Sequence, residues 1–145
     1  MTKIDFYILP ESSPQATMLF VCRLIEKAYK QRHRIYIHTE EETIAHQLDE
    51  MLWTYRDDSF LPHNLYGEGP EPTPPIQIGI NATPEQHRDV LINLGQQIPT
   101  CHTQFKRIIE IIADDENAKT AGRERYRFYR TTGFEINTHQ LQTIE

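Results

Sequence analysis

Short apolar runs alternate with amphipathic ones through the first third of the chain, and this alternation constrains the fold more than any other feature. Residues 4–9 (IDFYIL), closed by Pro10, read as a strand. Ser13 stands as a helix cap, with Pro14 at the first helical position. Met18, Val21, Cys22, Ile25, Ala28 and Tyr29 then recur at three- and four-residue steps, predicting a helix to about Gln31. Residues 35–38 (IYIH) read as a second strand. Thr39 to Glu42 has the S/T-x-x-E form of a capping box, and its acids suit the positive end of a helix dipole. The helix it opens continues through Ala45, Leu48 and Leu52 to about Tyr55. Strand, helix, strand, helix predicts a parallel sheet covered on both faces.

The rhythm breaks at residues 57–75, which hold five prolines and two glycines and read as an irregular surface connection. Strands are expected again at 76–80, 89–94 and 107–113, the last containing four isoleucines. A basic segment follows as the closing helix, with Gly133 as a left-handed stop. No repeat or linker divides the sequence, so one domain over residues 1–145 is expected, long enough to bury roughly 70% of its unfolded surface.

That basic segment, residues 119–134, carries five of the fifteen basic residues and four aromatics. At 100° per residue, Lys119, Arg123, Arg127 and Arg130 share one stripe with Tyr126. Ala118, Ala121, Phe128 and Tyr129 form the opposite face, suited to a core. Arg125 falls toward that apolar side, where it must snorkel or find a partner. Gly122 costs roughly 0.5–1 kcal/mol in a helix interior relative to Ala and suggests a bend near the helix start. The stripe is nearly free of acids, which points to a docking surface for an anion.

Charge narrows the kind of anion. The net charge is −6, yet residues 119–130 hold five basic residues and one acid, a local +4 that leaves −10 elsewhere. A protein built wholly to grip nucleic acid is usually basic overall, so a short acidic peptide suits this balance better. A single-stranded nucleic-acid module using the helix over 119–130 is the alternative. Phosphate loops of the GxxxxGK[ST] and GxGxxG types are absent, and Gly67-Glu68-Gly69-Pro70 offers an acid where phosphate needs amides. No cofactor is expected. The seven histidines are scattered without metal-ligand spacing and read as solvated or singly hydrogen-bonded, so no metal is expected either. Neither Cys22 nor Ser59 has a local catalytic partner set, and no enzyme activity is assigned. Cys22 and Cys101 lie in no CxxC pattern, and Cys22 sits among apolar residues as a buried thiol. The absence of a leader or a long apolar run leads to the expectation of a cytoplasmic protein without membrane contact.

Trp53, Phe60 and Leu61 form a second feature. Core anchoring is the default reading for such residues. An aromatic patch for a protein partner, rimmed by Pro62, His63 and Asn64, is the alternative.

Several strings together resemble the chi subunits of bacterial DNA polymerase III. They are LDEMLW (48–53), SFLPHNLYGEGP (59–70), RERYRFYR (123–130) with Gly133-Phe134 and Asn137-Thr138, and the opening FYIL (6–9). PHNLYGEGP is the most specific of them. The resemblance implies a single-domain three-layer α/β/α sandwich with a mostly parallel sheet, similar to mononucleotide-binding folds but without their phosphate loop. It also implies a non-catalytic accessory subunit of the clamp-loader assembly. Its partners would be the psi subunit and the acidic, Phe-terminated C-terminal tail of single-stranded DNA-binding protein, with no tight binding to nucleic acid. The resemblance assigns Trp53, Phe60, Pro62, His63 and Asn64 to the psi-facing surface. It assigns Ile112, Lys119, Arg123, Tyr126 and Arg127 to tail binding, with Arg123 as the carboxylate clamp. Gly122 stands where the family pattern has alanine.

Overall fold

The computed structural model describes residues 2–56, 60–69 and 72–142. Among these residues seven strands form one sheet: β1 (Lys3–Ile8), β2 (Ile35–Thr39), β3 (His63–Leu65), β4 (Ile76–Ile80), β5 (Val90–Asn93), β6 (Arg107–Ile112) and β7 (Glu135–Gln140). Their order is β3-β4-β2-β5-β6-β1-β7, and all the pairings are parallel. The helices α1 (Pro14–Lys30), α2 (Glu42–Thr54) and α3 (Glu116–Thr132) cover it. A 3-10 turn (Thr100–Gln104) precedes β6.

The layers follow from the two-residue alternation of the strands. Ile35, Ile37, Ile76, Ile78, Val90, Ile92, Ile109 and Ile111 pack with α1 and α2 on one face. Tyr36, Leu91, Ile108, Ile112, Ile4 and Phe6 pack with Tyr129 of α3 and Phe105 on the other. This is the three-layer α/β/α arrangement. Ser13 caps α1 with its side chain, as expected, and Pro14 occupies the first position. Cys22 is fully buried, and burial pushes its thiol up to about 12.

Several expectations need correction. The Thr39 capping box does not form. Thr39 ends β2, its hydroxyl accepts from the Glu41 N–H, and α2 starts at Glu42 without a side-chain cap. The connection expected to be irregular contains β3, held by pairing with Ile76–Ile78 of β4; Ser59 lies outside the described residues. The basic helix is not the closing element, since β7 follows it and pairs with β1. Gly122 lies inside a helix that continues from Glu116 to Thr132, against Ile112. Phe128 is 43% exposed and leaves the core face of α3 to Gly122, Arg125 and Tyr129. His38, His63 and His87 are buried rather than solvated; His87 makes a hydrogen bond to the Pro74 carbonyl, whereas His63 uses both ring nitrogens.

Candidate functional site

Helix α3 is fixed at both ends. The Asp115 carboxylate accepts from the Ala118 N–H at 2.8 Å, and Gly133 takes the left-handed conformation at φ 97°. Its inner face is pinned by an unusual core group. Glu110, fully buried on β6, accepts from Arg125 Nε (2.8 Å), Tyr129 Oη (2.7 Å) and Asn93 Nδ2. Arg125 also donates to the Gln96 carbonyl. Burial raises the Glu110 carboxyl above its ordinary range, against the pull of Arg125, Tyr129 and Asn93. Arg125 thus has the partner its position demands, and the rotation of α3 is set by it.

With that rotation fixed, α3 turns Lys119, Arg123 and Tyr126 toward a cavity of about 510 Å³. Its floor comes from the carboxyl ends of adjacent strands: Phe6, Ile8, Leu9 and Pro10 at β1, and Ile112 at β6. Thr138 and Gln140 of β7 close one side. Strand β1 feeds α1 on one face, and β6 feeds α3 on the other. Such a reversal opens a crevice at the carboxyl ends of a parallel sheet. Phe6 and Tyr126 meet with ring centroids 5.4 Å apart, giving the cavity an aromatic wall. Gly122 also lines it and lets Ile112 lie close to the helix.

The charges at its rim differ in availability. Lys119 Nζ lies 2.7 Å from Asp114 Oδ1, and that hydrogen bond and charge raise its pKa above the ordinary lysine value. Arg127 pairs with Glu124 at 3.1 Å and is not part of the lining. The stripe therefore has more internal acids than the sequence suggested. Among the described residues, Arg123 makes no hydrogen bond or ion pair. Of the five residues expected at the tail site, Ile112, Lys119, Arg123 and Tyr126 come together, while Arg127 stands outside. The other floor residues, Phe6, Ile8, Leu9 and Pro10, were read from the sequence only as a strand and its end.

The second set is only partly brought together. Trp53 is 54% exposed and Phe60 66% exposed, so core anchoring is overturned for both, whereas Leu61 is buried. Their rings lie 5.8 Å apart, and Trp53 rests on the His63 ring at 4.4 Å. His63 is itself buried, its Nδ1 against the Leu61 carbonyl and its Nε2 against the carbonyl and carboxylate of Asp49. It supports the patch from beneath rather than rimming it. Asn64, the next residue on β3, points to the other face and ties the following loop. Its amide donates to the Glu68 carbonyl and accepts from Gln77. Pro62 is half-buried between Leu61 and His63. Because β3 and β7 are the two edges of the sheet, this patch and the cavity lie at opposite ends of it.

The sequence model of a family described as "DNA polymerase III chi subunit, HolC" matches residues 1–137. Three similar proteins are each named DNA polymerase III subunit chi. The one from Pseudomonas aeruginosa is 37% identical, covering 99% of this chain and 100% of the relative. Those from Haemophilus influenzae and Escherichia coli are 35% and 34% identical, covering 94% and 95% of this chain and 96% and 97% of themselves. The chain belongs to the DNA polymerase III chi subunit family. Membership places it among the accessory proteins of DNA replication. Of the strings that suggested the chi family, LDEMLW lies in α2 and supplies Trp53 to the aromatic patch, and RERYRFYR lies in α3 and supplies Arg123 and Tyr126 to the cavity. No described helix of this chi-family chain is long and apolar enough to cross a membrane.

Proposed function

We propose that this chain is a non-catalytic adaptor of the DNA polymerase III holoenzyme. It links the clamp loader, through a psi subunit, to the C-terminal tail of single-stranded DNA-binding protein. The observation that carries this reading is the placing of one unpaired guanidinium, Arg123, at the mouth of an apolar, aromatic-walled cavity. A terminal Phe ring fits such a cavity, and its free carboxylate suits the planar fork of Arg123. Trp53 and Phe60, exposed at the opposite edge of the sheet, are the psi-facing pair. Separate surfaces at opposite edges leave both partners room to bind at once.

Calorimetry with an acidic peptide ending in Phe tests the reading, with the same peptide lacking that Phe as control. Arg123→Ala should weaken peptide binding, and Trp53→Ala should leave it nearly intact. Equal loss from both changes in folded protein overturns the two-surface reading. A second reading, direct binding of a single nucleic-acid strand, is favoured by the 38% and 43% exposure of Tyr126 and Phe128 beside arginines. Tight oligonucleotide binding by the chain alone would put it first.

A further inference from the structure

We infer that Asp114 is a built-in competitor at the cavity mouth, which occupies Lys119 and restricts the site to carboxylate ligands at the expense of phosphates. The inference rests on the peptide-binding reading of this cavity and adds how the site discriminates among anions. Among the described residues, the charged ones that line the cavity are Asp114, Lys119 and Arg123. Asp114 holds Lys119 at 2.7 Å, with both side chains substantially exposed, 47% and 38%. An ion pair this exposed is weak and exchanges partners readily. Among the described residues Arg123 carries no such partner, which leaves its guanidinium open toward the cavity.

Asp114 does not stand at the mouth by chance of rotamer alone. Its backbone N–H donates to the Glu11 carbonyl at 3.0 Å, which fixes the turn between β6 and α3. The next residue, Asp115, spends its carboxylate capping the helix, and Glu116 occupies the first turn. A helix N-terminus flanked by Lys119 and Arg123 is otherwise a ready phosphate site. Here carboxylates already fill that role. An incoming peptide presents its terminal carboxylate to Arg123, and an upstream acid then exchanges with Asp114 for Lys119. A phosphodiester chain instead brings one charge per nucleotide past Asp114 and meets repulsion before it reaches Arg123.

The test compares wild type, Asp114→Asn and Glu50→Gln, an exposed acid on α2 whose loss changes net charge equally. The probes are the Phe-terminated acidic peptide and a labelled single-stranded oligothymidylate at low salt. Asp114→Asn should bind the peptide about two- to fivefold tighter, within the range of exchanging one exposed ion pair. It should also gain oligonucleotide binding, with Glu50→Gln matching wild type for both probes. Adding Lys119→Gln to Asp114→Asn should abolish the gain. Asp114→Asn behaving like Glu50→Gln for both probes overturns the inference. Failure of wild type to bind the peptide overturns the peptide-site reading instead. The oligonucleotide arm still decides the role of Asp114, with a gain supporting it and no gain overturning it.

Discussion

Gly122 approaches Ile112 so closely that a Cβ on it would lie 2.5 Å from Ile112 Cδ1. The missing side chain lets Ile112 lie against α3 and sets the depth of the cavity. Gly122→Ala gains about 1 kcal/mol of helix propensity and loses a comparable amount to crowding. Because the clashing atom is the tip of a flexible side chain, Ile112 should swing into the cavity. The expected outcome is a melting temperature within a few degrees of wild type and clearly weaker binding of the Phe-terminated peptide. Unchanged affinity would show that the cavity accommodates Ile112 elsewhere.

Glu110 and Arg125 make a second prediction. Removing one member of a buried, hydrogen-bonded ion pair leaves the other charge stranded, typically at a cost of about 3–5 kcal/mol. Arg125→Met should therefore lower the urea midpoint strongly, and Glu110→Gln combined with Arg125→Met should recover part of the loss. A double variant as unstable as the sum of its singles would mean that the two act independently.

How much of this was legible beforehand varies by element. The strands at 76–80 and 107–113 were readable because burial on both faces makes continuous apolar runs. Strand β7 was not, since its sequence EINTHQ is mostly exposed on an edge and its existence depends on pairing with β1. Strand β3 was hidden likewise in a proline-rich stretch, and only β4 makes it a strand. The cationic stripe gave Lys119, Arg123 and Tyr126 directly. Its acid partners Asp114 and Glu124 depend on rotamers, and the floor depends on β1 lying between β6 and β7, which periodicity does not encode. Glu110 left one clue, a lone acid inside four isoleucines.

Acid should destabilise the fold in two stages. Burial lowers the pKa values of His38 and His87 below the ordinary 6.5, with Arg34 adding to the effect on His87. The stability gained from keeping these rings neutral is present above pH 6.5 and is lost as pH falls through their folded values. Burial raises the Asp5 carboxyl, but hydrogen bonds from His139 and Arg107 outweigh it and hold the carboxyl below 3.8. Its contribution is present above 3.8 and is lost as pH falls through its lowered folded value. Glu110, raised by burial from 4.5, acts in the opposite sense, since acid relieves its ionised form. Urea midpoints measured from pH 7 to 5 should fall, and His87→Gln should flatten part of that slope. A midpoint that rises on acidification would contradict the assignment.

The exposed aromatic pair supplies the last prediction. Phe60 is 66% exposed and touches Trp53, so deleting its ring removes little from the folded core. Surface changes of this kind usually stay within about 0.5 kcal/mol, so Phe60→Ala should unfold at nearly the wild-type urea concentration. Exposed aromatics that are dispensable to stability are typical anchors of a protein partner. Phe60→Ala should therefore lose co-purification with psi while keeping full affinity for the Phe-terminated peptide, whose cavity lies at the other edge of the sheet. Trp53→Ala should behave similarly with a larger stability cost, because its ring covers His63. Intact psi binding by a folded Phe60→Ala variant would remove the patch from the adaptor's interface.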